Sequence, residues 1–550
     1  MWPQSYSPVS DSLGLSALVA ALPIFTLLIM LGVLRKPAWI SSLCGVGVAA
    51  LVALFAYHMP ASIMVSSALY GAAYGLLPIG WIVFTAILLY RLTVETGKFE
   101  IIKDSIASLT GDRRLQALLI AFAFGAFLEG AAGFGTPVAV ASAMLAGLGF
   151  EPFFAAGICL LANTSPVAFG SIGVPIYTLR TVSGLPDLLP LSSDVGRICA
   201  PLALVVPSYL MLVMGGMKAL KAVFPAAALC GITFAVTEFL VATYSGPDVA
   251  ALFAAIVSMV ALFLLMLVWK PAETVASTPH RHTGGSVFLA WSPYLTLVIF
   301  VGLWGIPSVK AWLDAVTLAA FKTIGFHSLD VKAPVFGWPG LHNLVQRIPP
   351  VVKTPSPYGA AYTLNVISAS GTACLFSVLV SAMILRVSVG NLCKYIGATA
   401  KQLALPLLTI SAMVALAYLM NYSGATTSLG LVIAGTGAAF PFFSPLLGWL
   451  GVFLTGSDTA ANALFGSLQV VTANRLGLNP VLMAAANSGG GVVGKMISLQ
   501  SIAVAAAATG MARSEEGRLF RFTISHSVFL AIVIGLLTLV YAYVVPGWVR

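Results

Sequence analysis

Apolar segments long enough to cross a lipid bilayer follow one another along almost the whole chain. A helix needs about 20 mostly apolar residues to span the hydrocarbon core. The alternating ten-residue segments of an outer-membrane barrel are absent, so the segments predict helices whose backbone groups are paired internally. Twelve such spans are expected near residues 13–34, 38–57, 62–90, 151–180, 197–215, 222–243, 249–268, 287–305, 366–385, 402–421, 478–509 and 522–545. The fold class is therefore an all-α integral membrane protein.

The charged residues support this class. Only 8% of the 550 residues are charged, against about 25% in soluble proteins. The net charge is +10, but the 27 Lys and Arg lie mostly at the ends of apolar segments. That distribution is the topological bias of membrane proteins. We therefore expect contact with membrane lipid and no nucleic-acid partner.

The positions of the basic residues predict the orientation. Arg35 and Lys36 follow the first span, and a basic stretch at 91–114 follows the third. Because cytoplasmic loops carry an excess of Lys and Arg, both chain termini are expected on the outer, periplasmic side of a bacterial inner membrane. The segment 306–365 is then an external loop.

Two further apolar stretches, 115–149 and 440–474, are broken centrally by glycine-rich strings. Each broken stretch leaves arms of about 15 residues, so we interpret both as re-entrant hairpins rather than as spans. Two short spans apiece would keep the same sidedness.

The chain also repeats itself weakly. Leu77-Pro78 matches Leu405-Pro406 at an offset of 328, and Asn163 matches Asn487 at 324. Arg197 and Arg521 match at the same offset, and each begins a span, so an interfacial anchor and a role in a site are both open.

An odd number of membrane crossings separates the two copies, which predicts opposite orientations, as in secondary transporters. The predicted organisation is a helix pair (1–60), a first inverted repeat (61–215), connecting scaffold helices (216–400) and a second inverted repeat (401–550). The first repeat holds hairpin 115–149 and a broken helix at 151–180; the second holds hairpin 440–474 and a broken helix at 478–509.

Four strings place polar and flexible residues at membrane depth: FLEGAAGFGTP (127–137), LLANTSPVAFGSIGVP (160–175), FLTGSDTAAN (453–462) and AANSGGGVVGKMIS (485–498). Unpaired backbone groups persist at that depth only where they line a cavity or bind something. Half-helix N-termini favour anions. The sequence therefore predicts one midplane site for a small carboxylate, although small residues that merely allow close helix packing would look similar. The expected substrate-binding residues are Gly130, Gly133, Gly135, Asn163, Thr164, Ser165, Ser457, Thr459, Asn487, Ser488, Gly489 and Lys495.

Two carboxylates and one lysine lie in these strings. Glu129 stands in an otherwise apolar arm, where an ionised carboxylate is costly, so it is the first candidate for a proton carrier. A structural hydrogen bond or a cation-ligand role is also open. Asp458 is the second proton-coupling candidate and could instead pair with a cation. Lys495 is expected to pair with Asp458 or to hold the substrate carboxylate, although it could also extend to the interface.

Catalytic motifs are missing. The string GGGVVGKM (489–496) resembles a phosphate-binding loop, but Met496 replaces the Ser or Thr that would hold Mg²⁺. The six His are too scattered for a catalytic metal centre. We expect neither an enzyme nor a bound cofactor or metal.

At the blocks GAFLEGAAGFGTPVA, ICLLANTSPVAFGSIGVPI, SPLLGWLGVFLTGSDTAANALF and GGVVGKMISLQSIA, the sequence resembles the bacterial L-lactate permease family over essentially its whole length. The resemblance implies proton-coupled symport of L-lactate, with D-lactate and glycolate as related substrates, across the bacterial inner membrane. It also implies kinship with elevator-type carriers, which are often homodimers.

In related carboxylate carriers, Ser-Asn-Thr strings at hairpin tips hold carboxylate and cation. Ser457-Asp458-Thr459 looks like such a tip with Asp in place of Asn, whereas the first tip, Gly130 to Gly135, lacks the string. Leu499 stands where the family's pattern leads us to expect proline. Two alternatives remain open: a sodium-coupled carrier or antiporter of the same architecture, and a channel.

Overall fold

A computed structural model describes residues 1–133, 135–271, 282–323, 335–352 and 354–549. Within these ranges, ten helices are long and apolar enough to cross a membrane, and two bent helix pairs raise the number to twelve. The protein is thus a multi-pass, mostly helical membrane protein, in agreement with the sequence prediction. The described part of the chain also contains short strands, all at one end of the molecule.

The first half of the chain includes a long, interrupted helix. Its helices are α1 (Leu13–Gly32), α2 (Ala38–Leu51), α3 (Ala61–Tyr74), α4 (Trp81–Glu95), α5 (Lys98–Ala107), α6 (Arg113–Gln116), α7 (Gly125–Ala131), α8 (Thr136–Gly147), α9 (Pro152–Ala162), α10 (Gly170–Ser183), α11 (Leu188–Tyr244) and α12 (Ala250–Val268). Helix α11 is broken at Gly215 and Gly216, where Gly216 has a φ of +65°. Its two halves pack closely, since a Cβ on Gly231 would lie 2.3 Å from the Leu204 carbonyl oxygen. They correspond to the two predicted spans at 197–215 and 222–243.

The second half also contains short helices separated by breaks. Its helices are α13 (Gly284–Gly305), α14 (Pro307–Thr323), α15 (Ser370–Ile384), α16 (Val389–Ser423), α17 (Ala425–Ile433), α18 (Phe440–Thr455), α19 (Asp458–Leu476), α20 (Pro480–Gly494), α21 (Leu499–Thr509) and α22 (Glu516–Leu539). Turns of 3₁₀-helix, Ser165–Phe169 and Lys495–Ile497, follow α9 and α20. The paths through α7 to α10 and through α18 to α21 therefore have the same succession of elements.

Each predicted hairpin segment forms two packed helical arms. The arm Arg113–Ala131 is 19 residues long and is among the ten candidate spans, so re-entry stays a prediction. Helix α8 packs against the π-helical segment Ala117–Phe124 that precedes α7, and Ser444 Oγ of α18 donates to Gln469 Oε1 of α19 at 2.8 Å. Phe134, in the first tip, lies outside the described residues.

The hairpins open towards opposite ends of the molecule. The first opens at Gly149, next to the start of the broken helix α9–α10. The second opens at Arg475, which shares a cavity with Ser183 at the far end of that broken helix.

Both broken helices bend where the sequence predicts. The angle is 60° between Pro152–Ala162 and Ser165–Ser183, and 42° between Pro480–Ile497 and Leu499–Thr509. At the second break Ser498 is extended, and its hydroxyl accepts a hydrogen bond from the Ser501 amide, which caps α21. The break therefore persists with Leu499 in place of the expected proline, because the serine cap starts the new helix.

Small residues bring α18 and α20 into contact at backbone distance. A Cβ on Gly448 would lie 1.8 Å from the Asn487 carbonyl oxygen, and one on Gly490 would lie 1.9 Å from the Pro445 carbonyl oxygen. No side chain fits in either gap. Such close approach is how helices associate inside a membrane, where burial of apolar surface gives no net advantage.

The predicted external loop at 306–365 is structured in the ranges described, which exclude 324–334 and 353. It contains α14 and four strands: β2 (Val335–Gly337), β3 (Val345–Arg347), β4 (Ser356–Tyr358) and β5 (Ala361–Thr363). The N-terminal strand β1 (Trp2–Pro3) pairs in parallel with β3, which pairs antiparallel with β4, and β2 pairs antiparallel with β5. We call these strands the cap. The N-terminus and this segment thus share one side of the molecule.

The C-terminal region reaches the same end. Tyr543 Oη donates to the Ala438 carbonyl oxygen, just before the second hairpin begins at Phe440. Both chain ends thus lie where the second hairpin opens. This arrangement fits termini on one side of the membrane, and the side itself stays a prediction.

Candidate functional site

The tips of both hairpins and the breaks of both broken helices meet around one cavity. Its volume is about 70 Å³. The lining includes Glu129 and Gly135 from the first hairpin, Ser171 from the first broken helix, and Asp458 from the second hairpin. The second broken helix contributes Lys495 and Gln500. The four strings that the sequence singled out therefore form a single site.

Backbone geometry that favours glycine makes this convergence possible. Gly133 and Gly135, at the first tip, have φ values of +59° and +82°. A Cβ on Gly133 would lie 2.3 Å from Ser171 Oγ, and that hydroxyl donates to the Ala132 carbonyl oxygen at 2.7 Å. A side chain at Gly133 would thus separate the first tip from the first broken helix.

A buried ion pair joins the first hairpin to the second broken helix. Lys495 Nζ lies 2.7 Å from Glu129 Oε1, and the side chains are only 7% and 3% exposed. The second carboxylate oxygen, Glu129 Oε2, accepts a hydrogen bond from Asn163 Nδ2 at 2.9 Å. The sequence had suggested Asp458 as the partner of Lys495. The structure instead pairs Lys495 with Glu129, because the second break lies directly against the first hairpin arm.

Asp458 is held at the N-terminus of α19 with one oxygen left over. Its Oδ2 accepts hydrogen bonds from Ser488 Oγ at 2.5 Å and Asn462 Nδ2 at 3.2 Å. Its Oδ1 has no hydrogen-bond partner in the described part of the chain. The carboxylate thus keeps an oxygen available to a proton or a cation.

Behind Asp458 lies an amide chain that the sequence analysis missed. Asn487 Nδ2 donates to Asn462 Oδ1 at 2.9 Å, and Gln469 Nε2 donates to Asn487 Oδ1 at 3.0 Å. Positions 458, 462 and 469 are four and seven residues apart, which places them on one helix face. This polar helix face was the sequence signal that could have revealed the amide chain. This chain of hydrogen bonds fixes the orientation of all three amides and so stiffens the second hairpin.

The remaining predicted residues divide into three groups. Gly135, Ser457, Thr459 and Lys495 line the cavity. Asn163, Ser488 and Gly133 contact its lining residues, and Asn487 lies one layer behind. Gly130 packs against Leu252 and Gly489 against Ile198, while Thr164 and Ser165 are buried outside the lining. Ser171, Gln500 and Ser501 line the cavity and were not anticipated. The roles of all these residues stay predictions.

Arg197 is buried within the protein. Its side chain is 8% exposed, and its Nη1 lies 2.7 Å from Asp194 Oδ1 on the same helix. An interfacial anchor therefore does not describe it, whereas its repeat partner Arg521 is exposed.

In the ranges that the structure describes, no three His, Cys, Asp or Glu side chains are placed to share a metal ion.

Comparisons with known proteins find relatives along nearly the whole chain. The family model described as L-lactate permease matches residues 16–545. The chain is 45% identical to an L-lactate permease of Bacillus subtilis, with 99% of this chain and 100% of that protein covered. It is 44% identical to the glycolate permease GlcA of Escherichia coli, with 99% of each chain covered.

Among solved structures, Neisseria gonorrhoeae MtrF aligns over 94% of this chain and 97% of that chain, at 12% identity and a TM-score of 0.47. A likeness of that size carries no conclusion. The family match and the two permease relatives instead span nearly the full length and indicate a transporter rather than an enzyme. The chain therefore belongs to the L-lactate permease family.

Proposed function

We propose that this protein imports L-lactate and related 2-hydroxy monocarboxylates, including D-lactate and glycolate, together with a proton across the bacterial inner membrane. Its relatives carry the names of a lactate permease and a glycolate permease, and both substrates are small 2-hydroxy acids. A cavity of about 70 Å³ suits ligands of this size.

The observation that carries the proposal is the Glu129–Lys495 pair. While Glu129 is ionised, the charge of Lys495 is neutralised and the ammonium is occupied. A proton on Glu129 removes that partner and leaves Lys495 to bind the substrate carboxylate. Because a buried ammonium requires a counter-charge, proton binding and lactate binding favour each other.

This exchange of partners keeps the summed charge of Glu129, Lys495 and the bound substrate at zero. The empty site holds Glu129 and Lys495 as an ion pair, and the loaded site holds protonated Glu129 with lactate on Lys495. Moving a bare monoanion inward against an inside-negative potential costs about 2.3 kcal/mol per 100 mV. Co-transport of one proton removes that cost and couples uptake to the pH gradient.

The rest of the site supplies specificity and a second acid. Ser457, Thr459 and Ser171 place hydroxyl groups at the cavity, where they can hydrogen-bond the 2-hydroxyl group of a substrate. Asp458, with its free Oδ1, places a second carboxyl group at the same cavity. Asp458 thus contributes to proton coupling without contacting Lys495 directly.

We further propose that the two hairpins and two broken helices move as one unit. The opposite openings of the hairpins and the matching order α7–α10 and α18–α21 support inverted repeats at 61–215 and 401–550. In transporters built from inverted repeats, rigid-body motion of one unit against another exposes the site to each side in turn. An elevator motion, periplasmic termini and a homodimer complete this proposal.

The decisive experiment is uptake of radiolabelled L-lactate into proteoliposomes, with a pH gradient and a membrane potential imposed separately, with and without Na⁺. Accumulation driven by the pH gradient alone is the expected result. A requirement for Na⁺, or a response to potential without a pH gradient, would instead favour a cation site at Asp458. Flux without accumulation or saturation would indicate a channel.

A further inference from the structure

A second polar cavity lies between the cap and the helices that lead to the central site. Its volume is about 180 Å³. The cap contributes Gln4 and Arg347, α16 contributes Asn421, and α19 contributes Arg475. Ser183, at the end of α10, also lines it. None of the known similarities described above assigns a role to this cavity.

The charge of the lining is one-sided. Arg347 and Arg475 both line the cavity, and no Asp or Glu is among the lining residues. In the described ranges, neither guanidinium forms an ion pair. Arg347 lies over the Tyr358 ring at 4.9 Å, and its buried Nε has no hydrogen-bond partner. Two guanidinium groups without a counter-charge favour an anion, and a planar carboxylate matches their donor geometry.

Asn421 adds a hydrogen-bond acceptor. Its Nδ2 donates to the Val182 carbonyl oxygen at 3.0 Å, and this contact fixes the orientation of the amide. The side-chain Oδ1 is buried and unpartnered in the described part of the chain. A buried acceptor without a donor is costly, and the hydroxyl of a ligand would satisfy it. Guanidinium donors and an amide acceptor together match a 2-hydroxy carboxylate.

Two helices run from the central site to this cavity. Helices α10 and α19 both begin at the central cavity, where Asn462 Nδ2 donates to the Pro175 carbonyl oxygen at 3.1 Å. Further along, a Cβ on Gly466 would meet the Leu179 and Val182 side chains. Ser467, which lines the outer cavity, is nine residues beyond Asp458, a rise of about 14 Å along the helix.

We propose that this cavity is a second binding site for small 2-hydroxy carboxylates, which captures the substrate before it enters the central site. The choice of ligand rests on the proposed function, since the same substrate would occupy both sites. Arg347 and Arg475 would bind the carboxylate, and Asn421 would accept the hydrogen bond of the hydroxyl.

Binding stoichiometry tests the proposal on the purified full-length protein. Equilibrium dialysis with radiolabelled L-lactate is expected to give two equivalents for the unmodified protein and one for the Arg347→Gln/Arg475→Gln variant. The same variant should raise the KM of uptake about tenfold or more and keep the rate at saturating lactate, since a charge-assisted hydrogen bond is lost only at the outer site. Propionate, which lacks the hydroxyl, should compete poorly there.

Three further variants make the result decisive. Arg475→Gln alone changes an exposed residue and should weaken outer binding without affecting folding. Lys394→Gln removes a positive charge from an exposed position near the other end of α16, and should change nothing. Lys495→Gln should remove the central equivalent only.

One equivalent in the unmodified protein, unchanged in the Arg347→Gln/Arg475→Gln variant, would overturn the second site. Two equivalents that persist in the Lys495→Gln variant would instead count against the proposed central site.

Discussion

Replacement of Glu129 by Gln tests the proton-coupled exchange of partners most directly. The carboxylate lies 2.7 Å from Lys495 and the pair is almost fully buried. Breaking a buried ion pair costs about 3–5 kcal/mol, and lactate must displace Glu129 whenever that carboxylate is ionised. Gln has nearly the same shape but cannot neutralise Lys495, so the variant leaves the ammonium permanently available to lactate.

The size of the pH effect on lactate binding follows from the coupling between proton binding and lactate binding. When Glu129 is ionised, each further pH unit should weaken lactate binding about tenfold, which is about 1.4 kcal/mol. The cost of breaking the pair limits this dependence to roughly two to four pH units. In Glu129→Gln the dependence should vanish, and lactate should bind more tightly than in the unmodified protein at alkaline pH.

The assay combines accumulation with exchange in proteoliposomes. A gradient of one pH unit supports about tenfold accumulation by a one-to-one symporter, and Glu129→Gln should show none while it still exchanges labelled for unlabelled lactate. Accumulation that persists in the variant would refute the role of Glu129 as proton carrier. Loss of exchange as well would make Glu129 structural or substrate-binding. Glu95→Gln, at an exposed carboxylate on α4 that pairs with Arg91, is the control and should keep pH-driven accumulation.

Three other substitutions, the last with a matched control, have distinct expected outcomes. Lys495→Gln should abolish both accumulation and exchange, because the substrate carboxylate loses its cationic partner; retained exchange would place the carboxylate elsewhere. Asp458→Asn should weaken pH-driven accumulation, since the second carboxyl group at the cavity is lost, and unchanged accumulation would argue against proton coupling through Asp458. Gly448→Ala should lower the thermal unfolding temperature in detergent, because its Cβ would lie 1.8 Å from a carbonyl oxygen. Gly47→Ala, on the exposed face of α2 with no atom within 4 Å, should leave that temperature unchanged or slightly higher.

The positions of the helix breaks were predictable from the sequence because they depend on local backbone chemistry. Glycine at positive φ, as at Gly135 and Gly456, and serine caps such as Ser457 and Ser498 act within a few residues of the break. The apolar runs predicted the spans for the same reason, since each run also lies within one contiguous stretch of residues. Even the missing proline at Leu499 did not matter, because the neighbouring cap was enough to restart the helix.

The choice of partners across the site could not be predicted in this way. Lys495 and Glu129 are separated by 366 residues, and the sequence favoured Asp458 as the partner of Lys495. The amide chain through Asn462 and Gln469 was missed because a polar helix face shows no partner until another helix packs against it.

The sequence by itself determined that this chain is a membrane-spanning helical protein, where its helices break, and which family it belongs to. Each of these properties is encoded in contiguous residues. The tertiary structure decided that Glu129 neutralises Lys495, that Asp458 keeps a free oxygen, and that the N-terminus joins the cap over a cavity with Arg347 and Arg475. These pairings depend on which helices lie side by side, and that order is set by packing between distant segments rather than by local propensity.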